Sequence, residues 1–344
     1  MDEIEILQNK IRDMEAAQQL YEQSLYGLLN QVKMLSESIA DVSGLNAMLM
    51  IQHNNLRFEL GDKRYQDPDF FYPHIVDADT TVQKIVEQKK SIARFGDGEF
   101  AIMCGHERAA FQQMDKKLQK RLIEVLESDI PNLMIGIADN YGNLDRYTEL
   151  AAAGIRGYLQ ITVRREHMSL LSRDRTYYDA YMTRPYMIYK DKKTDAPRKR
   201  FQHLRQIWDK RNVLMVEGTQ TRLGVRNDLF DNCLSMRRIL IPARNAFECY
   251  EDILQTTMEN VRDDDLVLVA AGPSAGVLVY DLALRGIQAI DAGHIDIEYE
   301  WFLRGAEERE PIPYKYTNEV PGQEEAEEVV DSVYESQIIA RCIL

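Results

Sequence analysis

From Ile4 to Val42 the chain places an apolar residue at alternating steps of three and four: Ile4, Leu7, Ile11, Met14, Gln18, Tyr21, Leu25, Leu28, Val32, Leu35, Ile39 and Val42, with Gln18 the one polar member. A seam of this kind, sustained for more than five heptads, predicts a coiled-coil helix over residues 1–44 that joins copies of the chain into a homo-oligomer, most simply a parallel dimer. The polar position at 18 would fix register or oligomer state. Ser43-Gly44 marks the expected end of the helix. A helix folded back on its own domain is the competing reading, but so narrow a stripe suits a partner helix better than a broad globular face. Residues 45–80, with Asn54-Asn55, Gly61-Asp62, Pro68 and Pro73, read as a connector.

Beyond residue 80 the pattern changes to short apolar, β-rich runs that alternate with amphipathic ones. Strands are predicted near 91–95, 133–137, 213–217, 238–242, 266–271 and 287–291, and helices near 116–128, 246–260 and 275–285. This alternation implies an α/β body over 81–344, a Rossmann-like, largely parallel sheet with helices on both faces. Ligands of such sheets gather at the carboxyl ends of the strands. Asp97-Gly98-Glu99, Glu217-Gly218-Thr219, Gly272-Pro273-Ser274 and His294 all fall at such ends.

Composition narrows the class. The 344 residues, 45% of them hydrophobic, suffice for one large or two small domains. No apolar run of about 18 residues appears, and Met1-Asp-Glu-Ile-Glu5 lacks the basic and apolar regions of a secretory signal, so the expected location is the cytoplasm or the inner face of the membrane. Cys104, Cys233, Cys249 and Cys342 are widely spaced, with no Cys-x-x-Cys, which argues for free thiols. The net charge of −14 disfavours nucleic acid as a partner, but residues 156–211 hold fifteen Lys or Arg against six Asp or Glu. Such a segment would suit a phosphate-bearing acceptor or an anionic membrane surface, although charge of this kind more often forms a solvated face or pairs within the fold.

Two segments carry most of the candidate chemistry. Gly293-His-Ile-Asp-Ile-Glu-Tyr-Glu-Trp-Phe302 packs His294, Asp296, Glu298 and Glu300 onto one face if extended, or pairs them at i,i+4 if helical. In Ser91-Ile-Ala-Arg-Phe-Gly-Asp-Gly-Glu-Phe100, Gly96 and Gly98 flank Asp97 ahead of Glu99. On an extended loop those two carboxylates would point the same way and could hold Mg²⁺ with substrate phosphate completing its shell. Gly272-Pro273-Ser274 joins a buried strand to a helix start, whose free N–H groups suit a phosphate. Arg222, beside Asn227-Asp228 in a polar loop, could neutralise a diphosphate.

Taken with Thr183-Arg-Pro-Tyr-Met187, Val216-Glu-Gly-Thr-Gln-Thr-Arg-Leu-Gly-Val-Arg-Asn-Asp-Leu-Phe230, Ala271-Gly-Pro-Ser-Ala275 and Asp291-Ala-Gly-His294, these segments resemble, in order and over residues 80–340, the bacterial glycosyltransferases of the GT-D fold. The resemblance implies that Asp97 and Glu99 form an Asp-x-Glu motif for Mn²⁺ or Mg²⁺ and the diphosphate of a UDP-sugar. It also draws Arg94, Gly96, Gly98, Arg184, Arg222, Asn227, Asp228, Gly272, Pro273 and Ser274 towards the nucleotide sugar, and His294 towards the metal or the leaving phosphate. Glu300 is the first choice for general base, Glu298 the second, with Asp296 beside them; Trp301 is either a sugar platform or core. The implied reaction moves a hexose such as glucose to a glycan, glycoprotein or lipid-linked acceptor. Arg226 stands where the family pattern expects glycine and Ser274 where threonine is usual. The rival readings are a metal-dependent nucleotide-sugar hydrolase and an inactive coiled-coil scaffold.

Overall fold

The structure, a computed structural model, describes residues 3–64, 70–107, 112–317, 319–320 and 326–343, with side chains left undescribed for 3–6 and 61–64. It divides into two compact units, Met1–Arg57 and Phe58–Leu344.

The first helix, α1 (Glu3–Arg64), does not stop at Ser43-Gly44. A single interior glycine costs a helix only about 1 kcal/mol against alanine, and the flanking residues, Leu45-Asn-Ala-Met-Leu-Met50, include strong helix formers. Most of the expected connector is therefore helical. Its last part holds β1 (His74–Val76) and the start of α2 (Ala78–Gln88), while residues 65–69 lie outside the described set. The seam side chains from Leu7 to Val42 are exposed in the single chain, and that of Ile4 is among those left undescribed.

Among the described residues the body is built on a nine-stranded sheet whose neighbouring strands all pair in parallel. After β1 come β2 (Ser91–Phe95), β3 (Leu133–Ile137), β4 (Thr176–Asp179), β5 (Asn212–Gly218), β6 (Ser235–Ile241), β7 (Leu266–Ala270), β8 (Ala289–Asp291) and β9 (Ile338–Arg341), in the order β1-β4-β3-β2-β8-β7-β5-β6-β9. Alternate residues of the central strands feed two separate cores. Leu214, Val216, Val267 and Val269 pack into one, and Val213, Met215, Leu266 and Leu268 into the other. Two buried faces explain why these strands read as unbroken apolar runs.

The helices that complete the layers are α3 (Asp97–Met103), α4 (Lys116–Glu127), α5 (Glu149–Tyr158), α6 (Ile161–Leu170), α7 (Ala196–Arg205), α8 (Tyr250–Asn260), α9 (Ser274–Leu284), α10 (Ile295–Arg304) and α11 (Ser332–Gln337). Residues of α4, α8 and α9 line the first core; residues of α2, α7 and α10 line the second. The connection leaving β2 runs to β3 on one side of the β2–β8 pair and the connection leaving β8 runs to β9 on the other, which is where a doubly wound sheet opens a crevice.

The basic segment is largely consumed internally. Arg164 is buried with its guanidinium 3.7 Å from the Phe58 ring centre, Arg175 donates to the Leu126 carbonyl at 2.6 Å, and Arg200 forks onto Asp191 at 2.8 and 2.6 Å. Among the described residues no helix is long and apolar enough to cross a membrane, and all four cysteines are free thiols.

Candidate active site

A cleft of about 1310 Å³ opens over the carboxyl ends of the strands, lined by residues following β2, β3, β5, β6, β7 and β8. Its hinge is Arg94. From β2 the guanidinium donates to the Asp291 carbonyl and carboxylate, both at 2.8 Å, tying the two strands that flank the switch point. Gly293 permits this passage, since a Cβ built there would stand 1.8 Å from the Arg94 Nη2, and its φ of +50° belongs to the left-handed region.

Asp97 and Glu99 both line the cleft, but not as an extended loop. They occupy the first turn of α3, where positions two apart diverge around the axis. Gly96 caps that helix, and the Glu99 carboxylate folds back to accept the Gly96 N–H at 2.7 Å, one half of a capping box. Asp97 is exposed, whereas burial pushes Glu99 up to about 7, with the Gly96 bond opposing and the charges of Asp291 and Asp97 adding to it. Among the described residues no group of three or more His, Cys, Asp or Glu is arranged to hold a metal. Two carboxylates are nevertheless an all-oxygen donor set of the kind Mg²⁺ uses when substrate phosphates supply the remaining ligands.

A histidine that the sequence did not single out supports this turn. His167, on α6, stacks on Phe100 of α3 with ring centres 3.8 Å apart. Its Nδ1 lies 2.7 Å from the Tyr141 hydroxyl and its Nε2 3.1 Å from that of Tyr158, which in turn reaches the Asp97 carbonyl at 3.4 Å. A carbonyl only accepts, so Tyr158 donates to it and takes the Nε2–H of His167, leaving Nδ1 to accept from Tyr141. Burial holds His167 down to about 4, so the neutral ring this chain requires persists through ordinary pH.

On the β8 side, His294 stands at the start of α10 beside Arg184 (3.5 Å) and Glu319 (3.6 Å), and all three line the cleft. Burial alone would raise the Glu319 carboxyl; Arg184 at 2.5 Å, His294 and Arg309 outweigh it and hold the group well below the usual carboxylate range. Gly272, at φ +55°, and Pro273 line the cleft where β7 leads into α9. Ser274 beside them is buried, and its hydroxyl meets no hydrogen-bond partner among the described residues.

The remaining expected residues make contacts within the fold. Glu300 and Glu298 do not line the cleft. Glu300 accepts from Lys315 Nζ at 2.9 Å, Asn227 at 2.8 Å and Tyr314 at 3.1 Å, deep in the fold. Asp296 touches the cleft floor but is filled by Lys315 at 2.6 Å, Asn227 at 2.8 Å and the Gly224 N–H at 2.9 Å. Asn227 is accordingly a buried bridge, Asp228 an outer acceptor for Tyr299 at 2.7 Å, and Arg222 a donor to the carbonyls of Tyr314 and Glu327 at 2.8 and 2.6 Å. None of these three reaches the cleft. Trp301 is core, 0% exposed, its indole N–H donating to Glu310. Arg226 adopts φ +63°, the region glycine enters freely, which accounts for glycine as the expected residue there.

Glu298 gives a pH test. Its Oε2 accepts the N–H groups of Tyr186 and Met187 at 3.0 and 2.8 Å, while Oε1 is buried and meets no partner among the described residues. Burial pushes this carboxyl up to about 7, with Arg184 and the two N–H groups opposing. A folded-state value above the unfolded one means that its contribution is complete below about 4.5 and is lost as pH rises through 7. Between pH 5 and 8 the stability of the wild type should therefore fall relative to Glu298→Gln by about 2–3 kcal/mol, read from urea unfolding. A gap that stays constant with pH would refute it.

The parallel sheet and the cleft at its switch point define the class as a doubly wound α/β fold, and the comparisons specify it. The model of the family described as glycosyltransferase GT-D fold matches residues 92–320, and the chain belongs to that family. It is 36% identical over 270 residues to a probable glycosyl transferase, Gly, of Streptococcus gordonii, covering 77% of this chain and 38% of the relative. With glycosyltransferase GlyD of Streptococcus pneumoniae serotype 4 it is 33% identical over 266 residues, covering 77% and 32%. The chain thus spans about a third of the length of these curated relatives. A solved structure of domain of unknown function 1792, described as a distinct glycosyltransferase fold, superposes with TM-score 0.73 at 35% identity, covering 79% of this chain and 96% of that one. A further one, described as a new glycosyltransferase from Streptococcus sanguinis, gives 0.71 at 36% identity, covering 78% and 99%.

Proposed function

We propose that the chain is a metal-dependent glycosyltransferase that moves a hexose, such as glucose, from a UDP-sugar to a hydroxyl of a glycan, glycoprotein or lipid-linked acceptor. The observation that carries this reading is the meeting, in one cleft, of the Asp97/Glu99 turn after β2 with the Gly272-Pro273 helix start after β7. Mn²⁺ or Mg²⁺ held by Asp97 and Glu99 would neutralise charge on the departing diphosphate. The N–H groups at the start of α9 suit the same phosphates. Arg184 and His294 present positive and hydrogen-bonding groups from the facing wall, held in place by Glu319. UDP as the nucleotide rests on family resemblance.

The test is incubation with a panel of UDP-sugars and Mn²⁺, with and without oligosaccharide acceptors, followed by mass spectrometry. Acceptor-dependent transfer is the expected result. Sugar release without an acceptor would make the protein a hydrolase, and absence of both nucleotide binding and turnover would make it a scaffold.

A further inference from the structure

The long helix carries a second inference, independent of the cleft. With Ile4 in position a, the heptad does not end at Val42. It continues through Asn46, Leu49, His53 and Leu56, so that a holds Ile11, Gln18, Leu25, Val32, Ile39, Asn46 and His53, and d holds Leu7, Met14, Tyr21, Leu28, Leu35, Val42, Leu49 and Leu56. Every one of these side chains is exposed in the single chain. Gly27 falls at c and Gly44 at f, both outside the seam and open to solvent, so neither interrupts it.

We propose that this face, from Leu7 to Leu56, is the interface with a second copy of the chain in a two-stranded, parallel, in-register coiled coil. Three features select that occupant. β-branched residues at a (Ile11, Val32, Ile39) with leucine at most d positions favour two strands in parallel. Asn46 at a, like Gln18, can pair with its own copy only when the strands are parallel and in register. The flanking charges agree, because Lys10 at g faces Glu15 at e of the second copy, and no g position of residues 10–52 opposes a like charge at the following e. An antiparallel arrangement loses that match and sets the polar a positions against apolar d residues such as Val42 and Met14.

Two measurements on the full chain decide it. Sedimentation equilibrium at about 10 μM should give twice the chain mass of 39.9 kDa, and Leu28→Glu/Leu35→Glu should return it to monomer with the far-UV and near-UV signatures of the body retained. Gln18→Cys should then form a covalent dimer under mild oxidation that the parent, with its four native cysteines, does not form. A monomeric wild type would overturn the interface, a trimer or tetramer would overturn the two-stranded form, and a dimer that Gln18→Cys fails to cross-link would overturn the parallel register.

Discussion

Asp97→Ala/Glu99→Ala should erase the difference between the binding of UDP in Mn²⁺ and in EDTA, and should lower sugar transfer by about a hundredfold or more, the scale of electrostatic stabilisation at a leaving group. The two acids differ in what else they do, and this separates ligand from scaffold. Asp97 is exposed, so Asp97→Ala should weaken metal-dependent binding with little change in melting temperature. Glu99 also caps α3 through Gly96, so its removal should cost about 1 kcal/mol of stability in addition. Calorimetric titration of UDP with and without Mn²⁺ on each variant reads the first effect, and thermal and urea unfolding read the second. Metal dependence that survives the double substitution would remove these residues from the site.

The sheet was legible where both its faces are buried. β2 and β3 match their expected ranges, and β5, β7 and β8 fall within two residues of theirs, because a parallel strand between two helical layers must be apolar throughout. The edges were not. β1 and β9 close the two sides of the sheet with three and four residues, and β4 reads Thr176-Tyr-Tyr-Asp179, too short and too polar to announce itself. The same division holds in the site. Asp97, Glu99, His294 and Gly272-Pro273 reached the cleft because the position of a motif at a strand end is visible in one segment. The roles of Asn227, Arg222, Asp296 and Glu300 depend on Lys315 and on the carbonyls of Tyr314 and Glu327. That stretch has neither helical nor strand periodicity, so nothing in the sequence forecast that it would supply a buried cation. His167 was equally silent, a lone histidine on a helix whose meaning comes from Phe100, Tyr141 and Tyr158.

Lys315→Met should destabilise the body by about 3–5 kcal/mol, the usual cost of stranding a buried charge. Lys315 is 0% exposed and is the cation shared by Asp296 and Glu300, whose remaining hydrogen-bond donors among the described residues, Gly224 N–H, Asn227 and Tyr314, are all neutral. The longer ion pair from Arg304 to Glu300, at 3.8 Å, is too distant to replace it. Adding Glu300→Gln to Lys315→Met should restore part of the loss, because one of the two stranded charges disappears. Urea midpoints of the two variants measure this, and a cost under about 1 kcal/mol for Lys315→Met would show that the network does not depend on the ammonium. Glu300→Gln alone then settles what the carboxylate does. With Asp296 still balancing Lys315, turnover should remain within about tenfold of wild type, whereas loss of a general base costs about a hundredfold to ten-thousandfold. A folded Glu300→Gln protein with normal nucleotide affinity and a hundredfold loss of transfer would return Glu300 to the role of base and require α10 to expose it to the acceptor.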